Sequence, residues 1–306
     1  MRRATAPAAT DLRTTDVPAT LVRSGRRPRP EIRSGPSTVV SGLRMYQPSP
    51  ALADSVRRAY AVFDEMRPYG ALQVCHCNVC LSPQTELELI ATPLPAISRE
   101  LLAEYTNSAH GWNDVVEREF RYFLPRYLDL IAADQAPDHR GPETCLSRLY
   151  EADWRRRWAP AETALLDEFF VALLLDNLDD LRLEPHHPSD PVRDISATLT
   201  LAVRAGATLE PLLAAWHSCR SPGAAVHLAM LRSDLVSTPT GGWRARNAFL
   251  DDFEAEALQI GRFASDPAQV PRLERALLAL EDAAPVLRQI IVESLTLPLP
   301  RMPHPT

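Results

Sequence analysis

A chain of 306 residues that is 45% apolar and 24% charged has the composition of an ordinary globular protein, long enough for one large domain or two smaller ones. Its longest apolar run, Phe169 to Leu175, falls far short of the roughly 18 residues a membrane-crossing helix needs, which excludes an integral membrane protein built on helices. The net charge of -6 is unevenly spread: residues 1–44 hold nine arginines against Asp11, Asp16 and Glu31, for +6, and the remainder holds 24 arginines against 36 acids, for -12. A body that acidic repels phosphate backbones, so neither nucleic acid nor a membrane is expected as its partner.

Residues 1–44 are rich in Ala, Thr, Pro, Ser and Arg and show no apolar periodicity, so they are expected to form a disordered basic tail. They lack the apolar centre of a secretory signal. Met45 stands just before Ser49-Pro50, a natural N-cap and first helical residue, and the native start is expected at or near Met45.

From Ser49 onward the pattern is helical. Val56, Tyr60 and Phe63 share one face of a helix expected to end near Pro68-Tyr69-Gly70. Ser82-Pro83 opens a short helix that stops before Pro93, and Ser98 caps another with Leu101, Leu102, Tyr105 and Ala109 on one face. Val116, Phe120, Phe123, Leu124, Tyr127, Leu128 and Ile131 form the cleanest stripe, interrupted by Pro125, where a kink or a second helix start is expected. Pro160 opens a helix that is apolar on more than one side and therefore central. Further helices are expected near 191–204, 208–218, 221–235, 245–260, 270–282 and 285–295, with no strand pattern. The fold class is all-α, an irregular helical bundle or α-solenoid-like array with a small cysteine-rich metal knot near the N-terminus. Its expected parts are a helical domain over 45–182, a linker over 183–190, a helical region over 191–297 and a disordered tail over 298–306.

Three of the five cysteines fall within six residues, Cys75-His76-Cys77-Asn78-Val79-Cys80. An odd count without an export signal argues against a disulfide framework and leaves metal binding or thiol chemistry. A C-x-x-C turn brings two thiolates onto one tetrahedral ion, and zinc is the usual occupant. No second C-x-x-C exists, so the remaining ligands come from Cys75 or His76 and from isolated residues such as His110, His139 or Cys145. His110, just before the Phe120 stripe, ranks first, which gives Cys75, Cys77, Cys80 and His110 as the expected metal ligands. Cys145 and Cys219, spaced among apolar neighbours, read as small core residues. Cys80 also precedes a helix start, which lowers a thiol's pKa and keeps a redox dithiol of Cys77 and Cys80 as an alternative.

Together with Tyr105, Ser108-Ala109-His110 and the run Phe120-Arg121-Tyr122-Phe123-Leu124-Pro125-Arg126, the segment Cys77-x-x-Cys80-Leu81-Ser82-Pro83 resembles a family of uncharacterised bacterial proteins. That family shows a C-x-C-C-x-S-P-like cluster and an F-R-[YH]-F-L-P-R motif. The resemblance covers about residues 50–135. This chain departs from it at Val79, where the family often has cysteine, and adds Cys75. The resemblance implies a bacterial, cytoplasmic setting and a metal site, but no reaction. Within the motif, Arg126 is expected to pair with Asp129 and Arg121 with Glu117 across an exposed face, the sharper alternative being an arginine that pairs with a buried acid or caps carbonyls freed by Pro125.

The expected function is a non-catalytic protein with a structural zinc and a protein-interaction or regulatory role. A zinc-dependent hydrolase using a base such as Glu117 or Glu119 is the alternative, weakened by the absence of H-E-x-x-H and G-x-S-x-G. His186-His187 with Asp190 is the only other candidate constellation, and reads as linker.

Overall fold

The computed structural model describes residues 47–64, 67–68, 70–77, 79–180, 194–239, 241–280 and 285–297. The two tails expected to be disordered and the linker with His186, His187 and Asp190 lie outside these residues. The described residues form one compact unit.

Nearly everything described is helical. The α-helices are α1 (Pro50–Val62), α2 (Pro83–Ala91), α3 (Arg99–Asn107), α4 (Asp114–Ala132), α5 (Ser147–Ala152), α6 (Trp154–Arg157), α7 (Pro160–Asp179), α8 (Ile195–Arg204), α9 (Leu209–Ser218), α10 (Pro222–Ser233), α11 (Glu254–Ser265), α12 (Val270–Ala279) and α13 (Pro285–Thr296). Their starts follow local chemistry. Ser49, Ser82 and Ser98 each accept a hydrogen bond from a first-turn N–H, and Pro50, Pro83 and Pro160 occupy first helical positions, where no N–H is needed. The α1 helix stops at Val62, short of the expected end near Pro68. Pro125 neither ends nor restarts a helix, because α4 runs through it with both faces of that turn buried.

The architecture is an irregular bundle rather than a solenoid. The α7 helix packs against α1 on one side and against α8, α9 and α10 on others, whereas solenoid units touch only their neighbours. That central place explains why Leu165, Leu166, Phe169, Phe170, Leu173 and Leu174 are all buried. The same contacts join the helices before and after the expected linker into one continuous apolar core.

Two features were not expected. The short helices α5 and α6 fill residues 147–157. A two-stranded antiparallel hairpin, β1 (Leu235–Ser237) and β2 (Trp243–Ala245), follows α10, and the segment read as helix near 245–260 becomes α-helical only at Glu254, after a tight turn over Ala248–Leu250. Gly261 of α11 lets β2 lie against the helix, since a Cβ there would stand 2.1 Å from the Trp243 carbonyl oxygen. No helix among the described residues is long and apolar enough to cross a membrane.

Candidate metal centre

The loop between α1 and α2 carries the cysteine cluster, and it is held from below by groups whose roles the cluster's spacing does not announce. Leu72 and Leu81, 2% and 0% exposed, anchor its two ends in the core. Between them, two buried carboxylates accept backbone N–H groups. Glu86, in the first turn of α2 where the helix dipole favours an acid, accepts from Leu72 through one oxygen and from the His76 ring through the other, at 2.8 Å. Glu119 of α4 accepts the Gln73 N–H at 3.1 and 3.2 Å. Burial raises the Glu119 carboxyl above the usual range, and the nearby Glu86 charge adds to this, while the Gln73 N–H opposes it. Across the loop, Cys75 donates its N–H to the Ala109 carbonyl at 2.8 Å and Leu81 donates to the Ser108 hydroxyl at 2.8 Å.

On this base the thiol sulfurs of Cys75, Cys77 and Cys80 come within 4.8 Å of one another. A tetrahedral ion with sulfur bonds of about 2.3 Å places its thiolates about 3.8 Å apart, so the grouping is of the right size to hold a metal ion. The turn between Cys77 and Cys80 closes with a Cys80 N–H to Cys77 carbonyl bond of 3.2 Å. The Val79 N–H, followed by the Cys80 and Cys75 side chains, holds the exposed Cys77 thiol down to about 7. The Cys80 thiol moves the other way: although the Ala109 backbone opposes the change, Cys77, burial and Cys75 leave it raised. At the tip, Val79 is 88% exposed.

His110 is not part of the 4.8 Å grouping, but it lines the same open depression of about 520 Å³ as Cys75 and His76. Its Nδ1 lies 2.6 Å from the Ser108 carbonyl oxygen, which can only accept, and 2.6 Å from Arg148 Nη2, which can only donate, so its two neighbours call for opposite tautomers. Nε2 is buried and has no hydrogen-bond partner. Burial, together with the Arg148 charge, lowers the ring pKa to about 4 and keeps it neutral. Arg148 also donates to the Thr106 carbonyl at 3.1 Å, and its guanidinium lies over the Tyr105 ring.

The remaining sequence candidates lie elsewhere. His139 lines a separate cavity with Arg140 and Asn177. Cys145 is buried and its thiol donates to the Pro142 carbonyl, as a small core residue does. Cys219 is only half-buried, beside the Ser221 hydroxyl at 3.4 Å. Both candidate bases are committed to structural contacts: Glu117 accepts from the Trp158 indole at 2.7 Å and pairs with Arg157 at 2.9 Å, and Glu119 supports the loop. Arg121 therefore does not pair with Glu117. It pairs with the buried Glu162 and stacks over the Trp158 ring at 4.8 Å, so the buried-acid reading of this arginine is the correct one. Arg126 does pair with Asp129 and also donates to the Ile97 carbonyl at 2.7 Å. No family model, no curated protein and no solved structure matches this chain.

Proposed function

We propose that this is a non-catalytic helical protein in which zinc, bound by Cys75, Cys77 and Cys80 with His110 Nε2 as fourth ligand, fixes the loop between α1 and α2 as a surface for a protein partner or regulator. The observation that carries the reading is the convergence of three thiols on a loop already pinned by Glu86 and Glu119. Soft thiolate donors favour zinc, and a thiolate-rich set suits a structural site better than a catalytic one. Zinc on Nε2 would select the Nδ1–H tautomer, whose proton the Ser108 carbonyl accepts, the arrangement that orients a ligating imidazole. Exposed Val79 at the loop tip and Leu87 on α2, 88% and 63% exposed, supply apolar contact points beside the site. Three reduced thiols in one loop fit a reducing, cytoplasmic compartment, and the resemblance of the motifs supports a bacterial one.

Metal analysis of reduced, anaerobically purified protein tests the proposal. One zinc per chain is expected, lost in Cys77→Ser and Cys80→Ser and retained in Cys145→Ser. His110→Ala should weaken zinc binding by about 10-fold or more, while His76→Ala should act more mildly through Glu86. Well under one zinc per chain, with melting unchanged by a chelator, overturns the metal reading. The low Cys77 thiol pKa favours one second reading, a redox dithiol with Cys80, which that outcome would leave standing and a measured reduction potential would establish.

A further inference from the structure

A cavity of about 290 Å³ opens where α10 begins beside α12, lined by Arg220, Ser221, Pro222, Ala225, Arg272 and Arg275. Three guanidinium groups in one small cavity are unusual in a body with a net charge of -12. Among the described residues neither Arg220 nor Arg275 has a hydrogen bond or an acidic partner.

Arg272 differs from both. It is only 7% exposed, and one terminal nitrogen caps the end of α9 by donating to the carbonyls of Trp216, at 2.6 Å, His217, at 2.8 Å, and Cys219. Its other terminal nitrogen, Nη1, is buried without a hydrogen-bond partner. A buried cationic donor left unpaired is costly, and a ligand that supplies an acceptor removes that cost. Burial lowers the Arg272 pKa, and the charges of Arg220 and Arg275 lower it further, though Cys219 opposes them; the three cations crowd one another. The N-terminus of α10, a helix of 12 residues, adds its positive dipole end to the same wall.

We propose that this cavity binds a dianionic phosphate group, either inorganic phosphate or a small phosphate monoester. Phosphate supplies the charge that three guanidinium groups and a helix N-terminus require, and arginine matches its oxygens in geometry. A volume of about 290 Å³ lies at the lower edge of ordinary ligand sites, which admits the phosphate with a few attached atoms.

Isothermal titration of the full chain with inorganic phosphate and with phenyl phosphate, at ionic strength matched by sodium chloride, tests this. Saturable binding of at least one of the two is expected, and the tighter of them reports whether an attached group is held. The double variant Arg220→Ala/Arg275→Ala keeps the cap on α9 and should lose affinity 10-fold or more. Arg246→Ala, which removes a surface arginine facing Asp234 at 3.7 Å, should leave binding unchanged. Absence of saturable binding by either probe, or equal affinity in the double variant, overturns the proposal. Circular dichroism of each variant separates loss of the site from loss of the fold.

Discussion

Replacing Glu86 isolates the support beneath the cysteine loop from any metal the loop holds. Glu86 is 6% exposed and its two oxygens serve different partners, the Leu72 N–H and the His76 ring. Leu72 is itself buried at 2% exposure, so its N–H has no water to turn to when the acceptor is removed. In Glu86→Ala that unsatisfied donor costs about 1–3 kcal/mol, and the lost contact to His76 adds about 0.5–1.5 kcal/mol, for a total of roughly 1.5–4.5 kcal/mol. Glu86→Gln keeps a carbonyl oxygen for Leu72 and should cost about 1 kcal/mol, chiefly from the weaker, uncharged hydrogen bonds. The assay is urea denaturation of both variants in the presence of a chelator, with amide exchange at residues 72–77 as the local readout. Equal stability of Glu86→Ala, Glu86→Gln and the parent protein would refute the view that the carboxylate holds the loop. So would a loss confined to the chelator-free protein, because it would assign the effect to metal rather than to the Leu72 N–H.

Burial lowers the His227 pKa, partly offset by the Asp180 carbonyl that its Nε2–H donates to, so the folded ring remains neutral where the unfolded ring takes up a proton near pH 6.5. The unfolded state then binds more protons, so stability should fall as pH drops through that value, and His227→Gln should flatten the change in urea melts between pH 7.5 and 5.5. The raised carboxyls of Glu119, Glu143 and Asp194 act with the opposite sign, their contribution being lost as pH rises. Gly261→Ala drives a methyl group into the Trp243 carbonyl and should cost about 1–3 kcal/mol, with the loss of hairpin amide protection as its signature. Arg121→Ala leaves the buried Glu162 with only its own N-cap contact and removes the cation over Trp158, for a loss of roughly 2–4 kcal/mol by thermal melting.

The parts of the fold written in local chemistry were legible, and those decided by distant contacts were not. Ser49-Pro50, Ser82-Pro83 and Ser98 mark helix starts because a hydroxyl acceptor and a missing N–H act within one turn. The α7 helix reads as central because apolar residues surround it. Pro125 misleads, since the rule that proline breaks a helix takes no account of the burial that holds α4 together on both sides of it. The β1–β2 hairpin has only three residues per strand, too few for an alternation to show, and what seats it is Gly261, sixteen residues beyond its last residue.

The same division runs through the site. Cys75, Cys77 and Cys80 are close in sequence, so their spacing alone announces that they share a turn. Glu86, Glu119, Ser108 and Arg148 carry no such signal, because each meets its partner only after α2, α3, α4 and α5 have packed. Glu119 shows the cost of reading residue type without position: as a free carboxylate near thiols it resembles a general base, yet both of its oxygens accept the Gln73 N–H. A group that holds the backbone in this way is not available to move protons for a substrate. The arrangement therefore places the rigidity of the cysteine loop in the helices beneath it, and a metal bound there adds a lock to a loop that the carboxylates have already shaped.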